Sequence, residues 1–313
     1  MSTDPVVQVE GLHVAYGAFE AVRDVSFTVG RGVAFGLVGP NGAGKTSTLK
    51  VLAGLLRPSG GRAAVAGHDV ILERDAMVRN IGYMADFFGV YDYLTVYEYL
   101  EFFGGMYGMR GRALRSGIDD AIARVALVSK RDARIATLSR GMKQRLYLAR
   151  ALVHQPSVLI LDEPASGMDP RGRDEMVRML KQTTASGTTI LISSHILDEL
   201  QDLCTVIGVM EAGRLVGLHD LVGGQNMDTS RRYLLLTPAA DRERARGLAL
   251  ELDVVSDIAP TPDGFLLTVT GGEHAVSNVV QAMVRAGVHV LLPRADASDL
   301  KDMFLRMTKG ELM

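Results

Sequence analysis

Apolar runs that break off at chemically capable residues are the clearest pattern along the chain. Val33-Ala34-Phe35-Gly36-Leu37-Val38 is apolar throughout and stops at Gly39. A short run of this kind predicts a buried strand, apolar on both faces, as in a parallel sheet. A glycine-rich stretch follows, and Ser47 to Leu56 then reads as a helix. Strand, turn and helix in this order make an α/β unit. A second apolar strand, Val158-Leu159-Ile160-Leu161, ends at Asp162-Glu163-Pro164, and a third, Thr188 to Ser193, ends at Ser194-His195. Open α/β sheets bind ligands beyond the carboxyl ends of their strands, and all three ends here carry polar groups. Between the first two strands, Thr95 to Val153 is mainly helical, with Leu138, Met142, Leu146 and Ala149 on one stripe.

Past about residue 220 the pattern changes. Tyr233 to Thr237 predicts a strand, Ala240 to Leu250 a helix, and Gly264 to Thr270 a strand after a Pro-Asp-Gly turn. A helix (His274 to Ala286), a strand (His289 to Leu292) and a last helix (Ser298 to Met307) complete the series. With a weak strand near Val254, the order is βαββαβ plus a helix, a ferredoxin-like succession. Gly-Gly-Gln-Asn interrupts the apolar pattern between Asp220 and Asp228. The boundary falls there, giving a domain over 1–222 and an α+β domain over 228–313.

Composition narrows the class. The 313 residues carry 34 Lys+Arg against 36 Asp+Glu, a net charge of −2, and are 47% hydrophobic. That is enough apolar material for packed cores, and the balance lacks the basic surplus of a dedicated nucleic-acid binder. One cysteine, Cys204, excludes an internal disulfide framework and a cysteine-rich metal site. No stretch reaches the roughly 18–20 apolar residues of a membrane-spanning helix. Met1 to Glu10 has neither the basic start nor the apolar run of a signal peptide.

Gly39-Pro40-Asn41-Gly42-Ala43-Gly44-Lys45-Thr46 matches the P-loop pattern in full. Its glycines let backbone N–H groups turn inward around phosphate oxygens, and the helix opening at Ser47 adds its positive dipole end. Lys45 supplies a mobile charge for the β- and γ-phosphates, and Thr46 a hydroxyl for Mg²⁺. Asp162, at a strand end, stands where P-loop proteins keep an acid for Mg²⁺. Glu163 beside it can polarise an attacking water as general base. An Asp-Glu pair after a strand can also be a loop start or a helix cap; the P-loop favours the chemical reading.

Together these residues bring a family into view. Tyr16 in Val14-Ala15-Tyr16-Gly17, the P-loop, Leu138-Ser139-Arg140-Gly141-Met142-Lys143-Gln144-Arg145, Val158 to Glu163, Ser166-Gly167-Met168-Asp169 and Ser193-Ser194-His195 stand in order over residues 6 to 219. The set resembles the ATP-binding cassette (ABC) ATPases: adenine-stacking aromatic, Walker A, signature, Walker B, D-loop and switch histidine. Each has a plainer alternative. Tyr16 can be a core aromatic, His195 a structural histidine or cap, and Ser139-x-Gly141 a good helix N-cap whatever else it does.

The resemblance implies a P-loop NTPase cassette of mixed sheet with a helical subdomain over about 92–154. It implies ATP held by Tyr16, Gly39, Pro40, Asn41, Gly42, Ala43, Gly44, Lys45, Thr46, Ser47, Ser139 and Gly141, and catalysis by Glu163, His195 and Lys45. It further implies Mg²⁺ at Thr46, Asp162 and Asp86. ATP would close a head-to-tail homodimer, each nucleotide lying between one Walker A and the other copy's signature. The membrane pore would be a separate polytopic subunit, engaged through the face from Asp86 to Tyr99, with the chain on the cytoplasmic side. No nucleic-acid partner is implied. Two departures stand out. Arg140 and Met142 replace a usual glycine and glutamine of the signature, while Ser139 and Gly141 are kept. Asp86, in Ile81-Gly82-Tyr83-Met84-Ala85-Asp86, replaces the Q-loop glutamine and brings a negative charge near phosphates. Phe87 to Asp92 and the tail Ser298 to Leu305 resemble exporter-type subunits for drugs, lipids or polysaccharides. The alternatives are a non-transport ABC protein of repair, chromosome or translation, and a nucleotide-gated regulatory subunit that hydrolyses ATP weakly.

Overall fold

The computed structural model describes residues 5–86, 89, 91–221, 231–261, 264–270 and 272–295. The chain divides into two compact units, the first ending at Leu221.

The first unit runs β1 (Val7–Tyr16), β2 (Phe19–Val29), β3 (Ala34–Val38), α1 (Lys45–Leu52), β4 (Gly60–Val65), β5 (His68–Asp69), α2 (Arg74–Val78) and β6 (Ile81–Met84). It continues through α3 (Val96–Met106), α4 (Gly111–Arg124), α5 (Arg140–Leu152), β7 (Val158–Asp162), α6 (Pro170–Ala185), β8 (Thr189–Ser194), α7 (Leu197–Leu203), β9 (Val206–Glu211) and β10 (Arg214–Asp220). Six strands form a sheet in the order β10-β9-β3-β8-β7-β6, parallel except for β10. Every residue of β3, β7 and β8 is buried, as expected of strands covered on both faces. A separate antiparallel sheet, β2-β1-β4-β5, meets it where Arg23 N–H donates to Gly213 O at 2.7 Å. Leu49, Val51 and Leu52 of α1 join a core of buried residues with Val9 and Val25 of this second sheet and with Ile160 and Leu191 of the first. Each such leucine or isoleucine contributes about 1.5–3 kcal/mol by leaving water.

The predicted elements stand with corrections at their ends. The first helix spans Lys45–Leu52 rather than Ser47 to Leu56. Gly54, at φ +68°, closes it, with Gly54 N–H donating to Val51 O and Leu55 N–H to Lys50 O, the arrangement of a Schellman stop. The helical stretch resolves into α3, α4 and α5. Thr95 opens α3 with a capping box closed by Glu98, worth about 1 kcal/mol. Cys204 is buried beside Gly36, and burial pushes its thiol up to about 12.

The second unit contains β11 (Arg231–Leu236), α8 (Arg242–Leu250), β12 (Val255–Thr261), β13 (Gly264–Val269), α9 (Gly272–Arg285) and β14 (Leu291–Ala295). All neighbours in the sheet β12-β13-β11-β14 are antiparallel. Ala245 and Ala249 of α8 and Val276, Val279 and Met283 of α9 pack with Tyr233, Leu235, Phe265 and Leu267 of the sheet. The element order is the βαββαβ read from the pattern. The last strand starts at Leu291 rather than His289, because Asp241 Oδ2 accepts from His289 N–H and Nδ1, at 3.1 and 2.9 Å. The predicted helix Ser298 to Met307 lies outside the described residues.

Candidate functional site

Strand register gathers the chemistry at one edge of the large sheet. Val38 pairs with Ser194 and Asp162 with Ser193, so the carboxyl ends of β3, β8 and β7 are in line. From β3 the chain passes through the glycine-rich turn into α1. Gly44 caps this helix at φ +97°, where a Cβ would stand 2.5 Å from Ala21 O, so only glycine fits. Lys45 folds back under the turn and donates from Nζ to Gly39 O (2.7 Å) and Pro40 O (3.1 Å), with Glu163 Oε1 3.9 Å away. Burial lowers its pKa by disfavouring the ammonium, against the pull of Glu163 and Asp162.

Asp162 is 2% exposed. Its Oδ1 accepts from Thr46 Oγ1 at 3.1 Å and from Ser193 Oγ at 2.6 Å, so hydroxyl bonds meet the cost of burying a charge there. Glu163 holds a left-handed backbone, φ +50°, immediately before Pro164. A side chain in that region costs about 1–3 kcal/mol and persists only when its surroundings fix it. Glu163 N–H donates to Ser193 Oγ at 3.1 Å, and Glu163 O accepts from Ser166 N–H at 3.0 Å. Its carboxylate Oε2 accepts from His195 Nδ1 at 2.8 Å. A carboxylate can only accept, so the proton sits on Nδ1 and Nε2 is free to act outward.

The outer wall comes from the second sheet. Tyr16 and Phe19 pair across a two-residue turn opened by Gly17, and both rings are half exposed. Tyr16 Oη lies 3.2 Å from Ser47 Oγ, which ties the hairpin to α1. The resulting cleft, about 380 Å³, is lined by Tyr16, Asn41 to Ser47, Asp86, Glu163 and His195, a volume within the range of small-ligand sites. Thr46 and Asp162 present hard oxygens, the ligand type Mg²⁺ takes alongside phosphates. Among the described residues no three His, Cys, Asp or Glu converge into a metal cage, so Asp86 lines the cleft without completing one. These oxygens fit a cation that shares its ligands with a nucleotide.

Ser139 and Gly141 are not brought to this cleft. They line a second one, about 440 Å³, with Arg140, Met142, Arg145, the Gly167 to Asp169 turn, Arg171 and Glu175. Ser139 Oγ accepts from Met142 N–H at 3.3 Å and caps α5, and Asp169 caps α6 through Gly172 N–H at 2.7 Å. The Arg140 guanidinium lies on Gly167, whose φ is +68° and where a Cβ would come within 2.1 Å of Nη2. Sequence reasoning missed Phe19 and Ser166, which also line the first cleft, and the double role of Ser193. The exposed-turn spacing Tyr16-Gly17-Ala18-Phe19 was the available signal for Phe19.

Known proteins share both the motifs and the fold. The family profile described as ABC transporter matches residues 22–166. The daunorubicin resistance ATP-binding protein DrrA3 of Streptomyces coeruleorubidus is 33% identical over 97% of this chain and 96% of its own length. The chain belongs to the ABC transporter ATP-binding proteins. The Nod factor export ATP-binding protein I of Ralstonia nicotianae is 32% identical over 100% of this ABC subunit and 96% of its own length. A solved structure of cbiO1 from Clostridium perfringens, described as part of the ABC transporter complex cbiONQ, is 27% identical, with a TM-score of 0.63 over 80% of this chain and 96% of that one. As an ABC ATP-binding subunit, this protein binds ATP for transport. Among its described residues no helix is long and apolar enough to cross a membrane.

Proposed function

We propose that this ABC subunit hydrolyses ATP to drive export through a separate membrane subunit, on whose cytoplasmic face it sits, and that two copies close head to tail around the nucleotides. The observation that carries the proposal is the convergence of Lys45, Thr46, Asp162, Glu163 and His195 at one cleft, with Ser139 and Gly141 in another. A nucleotide held by the first cleft would have the second supplied by another copy. Export is supported by relatives named for daunorubicin resistance and Nod factor export, alike along nearly the whole chain.

In this reading Tyr16, with Phe19, stacks on adenine, and the Gly39 to Ser47 turn holds the phosphates through backbone N–H groups. Lys45 exchanges its carbonyl partners for phosphate oxygens. Glu163 takes the proton of the attacking water, and His195 holds its carboxylate in place. Thr46 and Asp162 would hold Mg²⁺, with Asp86 nearby; the ion when bound neutralises phosphate charge. The test is Glu163→Gln: the variant should bind Mg-ATP, lose turnover by about 10²–10⁴-fold, and accumulate as an ATP-bound dimer in size-exclusion chromatography. Undiminished phosphate release, or a monomer at saturating Mg-ATP, would refute the proposal.

A second reading, a nucleotide-gated subunit with weak hydrolysis, draws on Asp86 lining the cleft. Asp86→Gln separates the two. A large rise in turnover supports gating, and little change supports a working motor.

A further inference from the structure

Gln144 is the best-buried polar residue of α5, 1% exposed, and it faces neither cleft. Its Nε2 donates to Pro164 O. Among the described residues its Oε1 has no hydrogen-bond partner. A buried amide left half satisfied is unfavourable, and such groups in native proteins call for a reason. The reason lies one residue upstream of the proline. Glu163 is held at φ +50° directly before Pro164, a position that proline steers toward extended backbone. Proline has no N–H, so the peptide between the two residues offers no donor with which to secure the turn. Ser193 Oγ holds the strained residue from its amino side, and Ser166 N–H holds its carbonyl. On the far side of the proline, the bond from Gln144 to Pro164 O is the fastening.

We propose that Gln144 is a positioning residue for Glu163, keeping the Glu163-Pro164 turn in the conformation that aims the carboxylate at His195 Nδ1. Gln144 lies one helical turn beyond the Ser139 cap, so the clamp ties the start of α5 to the end of β7. Arg140 lying on Gly167, and Arg145 3.7 Å from Glu175, join α5 to the turn after β7 and to α6. Displacement of α5 at one cleft is thereby transmitted to the carboxylate at the other within a single chain. The inference rests on Glu163 being the general base.

The test uses the full-length protein and Mg-ATP, with three readouts: kcat and KM from phosphate release, affinity for a fluorescent ATP analogue, and melting temperature. Gln144→Met keeps the side-chain length and removes the donor. The expected result is a fall of at least tenfold in kcat, with KM and analogue affinity within about twofold of wild type, because the P-loop is untouched. A purely structural residue would instead lower melting temperature without this split. If Gln144→Met is insoluble, Gln144→Leu, which is near in volume and carries neither a donor nor a charge, is measured in the same way. In the Glu163→Gln background, Gln144→Met should cause no further loss of residual turnover. Wild-type kcat in a folded Gln144 variant, where Glu163→Gln is inactive, overturns the clamp and leaves the general-base reading standing. Full turnover in Glu163→Gln overturns that reading and the clamp with it.

Discussion

The two clefts of the ATP-binding unit are built on opposite principles. In the P-loop cleft the charges are locked into one another: Lys45 is bonded to two carbonyls, Asp162 to two hydroxyls and Glu163 to His195. In the signature cleft the charge is graded from half-buried Arg145 and Glu175 to fully exposed Arg171. Arg145 and Arg171 share Glu175, at 3.7 and 3.6 Å, and Arg140 rests on a glycine with no ion pair among the described residues. The first is preorganised by buried polar bonds, which a low-dielectric setting strengthens. The second is shaped by packing and by helix caps. Single changes should therefore read out as lost turnover in one cleft, and in the other as lost stability together with weaker ATP-driven dimerisation.

Lys45→Ala is the largest predicted break. It removes the ammonium that bonds the turn of the P-loop cleft, and ATP turnover should fall by about 10²–10³-fold, checked by phosphate release. Retention within a factor of three would mean that the locked charges are not the working ones. Gly167→Ala comes next and belongs to the signature cleft. It forces a side chain into a left-handed backbone, φ +68°, so unfolding free energy in urea should drop by about 1–2 kcal/mol. The guanidinium of Arg140, the free end of an exposed side chain, can swing clear, so the same change in an Arg140→Gly background should cost about the same. A markedly smaller cost in that background would show that Arg140 is held on Gly167 in solution. The smallest effect is Ser139→Ala, a lost cap worth about 1 kcal/mol, with Thr95→Ala on α3 as an internal standard of the same chemistry. If Ser139→Ala weakens ATP-driven dimerisation well beyond Thr95→Ala, the cap also meets a ligand.

Much of the first unit is legible from local pattern. The P-loop, the Asp162-Glu163 pair and the switch segment sit at the ends of strands that are apolar throughout, where side-chain type and element boundary coincide. The antiparallel sheet is not legible in this way. β1 and β2 are interrupted by register shifts, one of them spanning Gly11, which adopts φ +54°, so the alternation seen from Val25 to Val29 does not run the length of the hairpin. Pattern alone puts the start of α1 two residues late, because its cap is a left-handed glycine rather than a serine or aspartate. Gln144 cannot be singled out by spacing. Its partner is a carbonyl twenty residues on, and only the packing of α5 against the end of β7 brings the two together.

Cys204 has a practical consequence for all of these experiments. At 4% exposure, with a thiol pushed up to about 12, it is almost wholly protonated near neutral pH, and thiol reagents need the thiolate. A cysteine introduced at the rim of either cleft would then be the reactive thiol in the folded protein. Spin or fluorophore pairs installed there could follow the approach of two copies without first removing the native residue. Unfolding would expose Cys204, so its labelling serves as a built-in gauge of intact fold.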